Sequence, residues 1–193
     1  MATYGTPQPG GTVFLAAADA SGMMVSFIQS NYYGFGSGVL VPGTGISMQN
    51  RAAGFSTDPT HPNAAAGGKR PFHTIIPGFL TQGGEPLAAV GVMGGPMQPQ
   101  GHLQLATRLR DRGQIPQAAI DAPRWKVTGR LGVTCEAGIA DEVVSALRAL
   151  GHDATRSAPT DEFSFGGAQM IYRSDDGYIA ASDPRKDGQA AGF

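Results

Sequence analysis

The order in which strand-like and helix-like stretches follow one another limits the fold of this chain more than any other feature. Residues 12–18 form an apolar run with strand character, followed by the turn Asp19-Ala20-Ser21-Gly22. Met24-Val25-Ser26-Phe27-Ile28-Gln29 reads as the returning strand. A glycine-punctuated loop, Gly34-Phe35-Gly36-Ser37-Gly38, leads to Val39-Leu40-Val41 and the turn Pro42-Gly43-Thr44-Gly45. Residues 56–71 are a polar connector rich in Pro, Gly and Ala. A second β block holds His73-Thr74-Ile75-Ile76, Gly78-Phe79-Leu80, a turn at 82–85 and a strand from Leu87 to Met93. Only then does the chain turn helical, over Gly101 to Arg112 and Ile115 to Ile120, with Pro116 tolerated in a first turn. A third helix opens on Asp141-Glu142, carries the stripe Val143, Val144, Leu147 and Leu150, and closes at Gly151. The tail returns to strands at 167–172 and 178–181 around Ser174-Asp175-Asp176-Gly177. Strands, then helices, then a hairpin favour segregated α+β layers over a doubly wound parallel sheet.

Length and charge narrow the functional classes. The 193 residues suffice for one domain with a real core. The formal net charge of -1 and the scattered 14 Lys and Arg give no basic stripe for nucleic acid or an anionic membrane. No apolar run is long enough to span a bilayer. The N-terminal segment lacks the basic region and apolar core of a signal peptide, which slightly favours a cytoplasmic protein. The single cysteine, Cys135, reads as a small buried hydrophobe. The four histidines, at 61, 73, 102 and 152, have no metal-ligand spacing. His61 is expected in solvent, His102 on either face of a helix start, and His152 where an imidazolium suits a helix end.

Thr12 stands out chemically. It follows the Pro- and Gly-rich stretch Gln8-Pro9-Gly10-Gly11 and opens an expected strand. A threonine so placed can attack the carbonyl of Gly11, rearrange the peptide to an ester and release it with water. The product carries a hydroxyl nucleophile and an α-amine base on one residue. An α-amine titrates near about 8, which suits a general base at neutral pH. An isolated Thr at a strand start would be explained by β-propensity alone.

Four co-linear blocks together resemble the small, catalytic subunit of the gamma-glutamyltransferase family of N-terminal-nucleophile (Ntn) hydrolases. They are Thr12 to Asp19 with the strand through Ser30, Phe35-Gly36-Ser37-Gly38 with Val41 to Gly45, Pro62-Asn63 to Lys69-Arg70-Pro71, and Gly94-Gly95 with the distal Ala122-Pro123-Arg124 and Ala181 to Gly188. The resemblance implies a four-layer αββα sandwich, of which this chain is the small-subunit half. Residues 1–11 are then a leader or the tail of a large subunit, and 12–193 the catalytic domain. It implies Thr12 as nucleophile, Gly11 and Thr12 as the autocleavage pair, and Ser30 as the supporting hydroxyl. Gly94 and Gly95 fall on the oxyanion-hole pair, where glycine lets the backbone approach closely. Hydrolysis or transfer of a gamma-glutamyl, glutathione-type amide through an acyl-enzyme is implied, with no cofactor and with a large subunit as partner.

The departures sit in the donor pocket. The family's Asn-Gln/Glu-x-x-Asp-Phe block reads Asn50-Arg51-Ala52-Ala53-Gly54-Phe55 here, so the acid that holds the glutamyl α-amine has become Gly54. The family's paired serines read His73-Thr74, and Tyr32 stands where an Asn is usual, with Asn31 beside it. Asn31, Arg51, His73 and Thr74 are therefore the expected substrate-binding residues. Arg51 reads either as a solvated arginine or as an inward one. An inward Arg51 favours a donor with a carboxylate and no α-amine, a glutaryl-type amide for instance. A silent partner subunit or a fragment lacking its large subunit is the rival reading.

Overall fold

This computed structural model describes residues 11–193; the expected leader lies outside them except for Gly11. The strand pair β1 (Val13–Ala18) and β2 (Met24–Gln29) is an antiparallel hairpin, with Val13 opposite Gln29 and Ala18 opposite Met24. Small ladders β3 (Leu40–Val41) and β4 (Ile46–Ser47) flank the turn at 42–45. The main sheet is built from β5 (Gly78–Gln82) and β6 (Glu85–Met93), completed by β10 (Gly167–Ser174) and β11 (Gly177–Ser182) from the far end of the chain. Its order is β11-β10-β6-β5, antiparallel throughout.

The side-chain alternation of β6 assigns the layers. Ala88, Val90 and Val92 point to one face, where they pack with Leu105 and Leu109 of α1 (Met97–Arg110) and Ala119 and Ile120 of α2 (Pro116–Asp121). Gly91 points to the other face, and the ring of Phe14 lies directly on it. A Cβ at 91 would stand 2.2 Å from a ring carbon. Helices, main sheet and the β1–β2 hairpin thus form three successive layers. No helix among the described residues covers the outer face of β1–β2, which presents Val13, Leu15, Val25 and Phe27 to solvent.

A second, smaller core lies beside this sandwich. Strands β7 (Trp125–Val127), β8 (Gly132–Cys135) and β9 (Asp153–Arg156) form a three-stranded sheet, and α3 (Asp141–Ala149) packs Val144 against Val133, Cys135 and Ala154. β8 and β9 are parallel, with α3 as their crossover.

Three expectations change in detail. His73 to Ile76 is not a strand; Pro71 and Pro77 bracket it and supply no backbone donors. The first helix begins at Met97 instead of Gly101, because Pro99 sits in its first turn where its missing N–H costs nothing. The β7–β8–β9 sheet is additional to the sequence reading; its strands are short and their apolar content is interrupted by Thr and Arg.

Candidate active site

A cavity of about 570 Å³ opens at the start of β1. Gly11, Thr12, Ser30, Arg51, Thr74, Gly94 and Gly95 all line it, drawn from five separated parts of the chain. Continuing the hairpin register one pair beyond Val13–Gln29 sets Thr12 opposite Ser30 on a shared face. Ser30 Oγ accepts the Tyr32 N–H at 3.0 Å and Arg51 Nη2 at 3.2 Å. With its lone pairs so engaged, the Ser30 hydroxyl has its own proton left to donate.

Arg51 is turned inward and is only 4% exposed. Its guanidinium donates to Ser30 Oγ and, at 3.3 Å, to Thr74 Oγ1, and it lies 4.9 Å from the centre of the Tyr32 ring. No carboxylate pairs with it among the described residues. Burial accordingly pushes its pKa down from the ordinary value. Two of five N–H donors are used, so the rest remain for a ligand. The ring beneath it belongs to Tyr32, whose φ of 79° is left-handed, a conformation uncommon for a bulky side chain. Asn50, just before Arg51, pins the loop that carries this tyrosine: Oδ1 takes the Tyr33 N–H at 3.0 Å and Nδ2 donates to Gly36 O at 3.0 Å.

The glycine pair closes the cavity floor. Gly94 has φ 141° and Gly95 φ 57°, both in the region that favours glycine. A Cβ on Gly94 would also meet Gly166 Cα at 2.8 Å. The Gly94 N–H has no partner among the described residues, whereas the Gly95 N–H meets the side chain of buried Gln98 at 3.2 Å. The far wall carries Asp161, Phe163, Ser164 and Lys186. Asp161 already has Lys126 Nζ at 3.7 Å. Lys186 Nζ donates to Phe163 O at 3.1 Å, and burial pushes its ammonium down to about 8.

Two of the expected binding residues stand elsewhere. His73 is exposed: Thr74 takes the buried side of that extended segment, which turns its neighbour outward. Asn31 offers its backbone carbonyl to Asn50 N–H at 3.1 Å and its side chain does not line the cavity. Its neighbour Tyr32 lines it instead. Tyr32, Gln98 and the 161–164 wall escaped the sequence reading. Only Tyr32 left a signal, as the residue replacing an expected Asn.

The distal blocks meet each other away from the cavity. Arg124 Nη2 pairs with Asp183 Oδ2 at 2.6 Å, with both side chains buried. Arg185 joins Glu136 at 2.6 Å and Asp183 at 3.1 Å.

Comparison with known proteins decides the family. The sequence pattern described as gamma-glutamyltranspeptidase matches residues 1–193. The chain belongs to the gamma-glutamyltranspeptidase family. Within it, the chain is 42% identical over 195 residues to the oxamate amidohydrolase proenzyme of Klebsiella pneumoniae, covering 98% of this chain and 37% of that protein. It is 39% identical to the glutathione hydrolase-like YwrD proenzyme of Bacillus subtilis, over 97% of this chain and 37% of that one. The crystal structure of cephalosporin acylase from Bacillus halodurans superposes with a TM-score of 0.86 at 53% identity, over 97% of this chain and 35% of the other. The α+β Ntn-hydrolase sandwich is therefore the fold, and the chain spans little more than a third of the length of these relatives.

Proposed function

We propose that this chain is the catalytic portion of an autoprocessed amidohydrolase whose donor carries a carboxylate on its acyl side and no α-amine. Arg51 carries the reading: a buried guanidinium beside the nucleophile position, with free donors and no acidic partner among the described residues. A buried cation of this kind attracts a carboxylate through paired hydrogen bonds and repels an ammonium. Ser30 bonds Arg51 and stands opposite Thr12, so the carboxylate-binding end lies about one hydroxyl away from the attacking oxygen. That spacing suits a short acyl chain, and the oxamate amidohydrolase named above acts on a donor of this shape.

In the proposed cycle, cleavage of Gly11–Thr12 frees the Thr12 amine. The Thr12 hydroxyl attacks the amide carbonyl, and the amine takes its proton. Ser30 donates to the attacking oxygen. The Gly94 N–H, with Gly95 beside it, receives the oxyanion. The intermediate expels the amine, which leaves with the proton, and water hydrolyses the acyl-enzyme. For oxamate the sum is oxamate and water giving oxalate and ammonia. An acceptor amine in place of water would give transfer. The large subunit that the family's proenzymes imply would cover the apolar outer face of β1–β2.

A gamma-glutamyl donor is the second reading, favoured by the resemblance to the glutathione hydrolase-like relative. Its α-amine would meet Arg51 where the family pattern has a neutral or acidic residue, and Gly54 where it has an acid.

The test uses the complete protein with its upstream chain. Intact mass should show a cut between Gly11 and Thr12, and Thr12→Ala should abolish both the cut and turnover. At least one of the two donors without an α-amine, oxamate or a glutaryl anilide, should outpace the matching gamma-glutamyl anilide. A protein that stays whole, or that prefers the glutamyl compound, overturns the reading.

A further inference from the structure

Gln98 is the second residue of α1, is only 1% exposed, and faces no solvent. Only one orientation of its carboxamide meets its neighbours with the right polarity. Nε2 then donates to the Thr74 carbonyl, and Oε1 accepts the Gly95 N–H at 3.2 Å. The Gln98 backbone N–H also donates to Gly95 O at 3.0 Å, and Met97 N–H donates to Gly94 O at 3.1 Å. The peptide between the two glycines is thus held at both ends. Two consecutive glycines in left-handed conformations would otherwise let that peptide rotate at small cost. On its other side, Gln98 grips the residue whose hydroxyl bonds Arg51.

From this geometry we infer that Gln98 is a positioning residue that sets the span between Arg51 and the glycine pair, and thereby selects the acyl chain length of the donor. The inference rests on the donor reading above. One continuous path runs Arg51 Nη1 to Thr74 Oγ1 at 3.3 Å, through Thr74 to its carbonyl, across the Gln98 carboxamide, and into the Gly95 N–H. One end of the path meets the acyl carboxylate, the other the peptide beside the developing oxyanion. A rigid span admits one distance between those two charges. A donor of wrong length can satisfy Arg51 or the glycines, and loses the other at the transition state. Misplacement of about 1 Å at a reacting carbonyl costs on the order of a hundredfold in rate. Selection therefore shows in kcat more than in KM.

The experiment compares oxamate, succinamate and glutaramate as donors, in the complete processed protein. Wild type should prefer one length strongly. Gln98→Leu should flatten that preference, with the loss falling on kcat for the favoured donor. Because this variant leaves the Thr74 carbonyl and Gly95 N–H unpaired and could fail to fold, Gln98→Glu provides the second arm. The protonated carboxyl donates and accepts in the same places as the amide, and the carboxylate can only accept and would face the Thr74 carbonyl. The Gln98→Glu protein should regain wild-type length preference as the pH is lowered and lose it as the pH rises, over a range where wild type stays flat. A wild-type preference in Gln98→Leu, or a Gln98→Glu profile parallel to wild type, overturns the inference. If wild type instead cleaves only gamma-glutamyl amides, the donor reading fails. The new pH limb of Gln98→Glu, read on the glutamyl substrate, then still decides the role of Gln98.

Discussion

Arg51 and Arg124 are both buried arginines, and their surroundings are opposite. Arg124 is 1% exposed and its two terminal nitrogens are occupied: Asp183 sits at 2.6 Å from Nη2, and the carbonyls of Phe165, Gly166 and Ile120 accept from Nη1 and Nη2, while Nε has no partner among the described residues. Burial pushes its pKa down from the ordinary value, and Asp183 opposes that only in part. Arg51 has only two hydroxyls and a ring. Paired with a carboxylate, a buried charge tethers segments; Arg124 ties the α2–β7 connection to the end of β11 and to the turn before β10. Left unpaired, it raises the energy of the empty site and lowers it on binding an anion. The protein keeps one cation for architecture and holds the other open beside Thr12.

The largest effect should come from the carboxylate-paired site. Arg124→Met removes the nearest cation from buried Asp183 and leaves it with Arg185 alone, and an unfolding free energy lower by about 3 kcal/mol is expected in denaturant titration. A loss confined to turnover would collapse the distinction between the two arginines. Arg51→Met should do the reverse. Its unfolding free energy is expected within about 1 kcal/mol of wild type or above it, because an uncompensated buried cation is removed. Its kcat/KM for oxamate should fall by about a hundredfold, as when a charge-assisted contact worth about 2–3 kcal/mol disappears. Oxalate should raise the melting temperature of wild type and leave that of Arg51→Met unmoved.

The smallest effect concerns a third basic side chain, this one half-buried. His102, on α1, donates from Nδ1 to Gln98 O at 2.7 Å, and burial lowers its pKa from the ordinary value, the Gln98 contact partly opposing this. An arginine cannot shed its proton; this histidine does. Below about pH 6.5 the unfolded chain binds a proton that the folded chain refuses, so stability falls on acidification, by at most about 1.4 kcal/mol per pH unit for one group. Melting curves from pH 7 downwards should show a shallower decline for His102→Leu than for wild type. Parallel curves would place the titration elsewhere.

The sequence reading reached the layered α+β class because local patterns carried it: alternation in β10, the stripe of α3, the turns at 19–22 and 174–177. It placed Thr12, Ser30, Thr74 and the glycine pair on one cavity because a co-linear motif records spacing along the chain. It left Arg51 undecided between solvent and interior, since orientation depends on Asn50, which fixes the preceding loop from 17 residues away. His73 and Thr74 show the same limit, as one residue of phase decides which of them faces the cavity. Gln98 was illegible, because a glutamine early in a helix looks like any solvated one until Thr74 and Gly95 stand on either side of it.

The contact between Phe14 and Gly91 has a consequence for how such a protein can change. The aromatic ring is a key and the bare glycine its notch, and the key is cut only two residues from Thr12. Sliding β1 by one residue would lift the ring out and turn Thr12 away from the cavity. On the proposed function, the attacking hydroxyl is indexed by a contact between residues that do not line the cavity. Arg51, Gly54 and Tyr32 can be exchanged without disturbing that index. A lineage built this way can trade one amide for another and never have to re-aim its nucleophile.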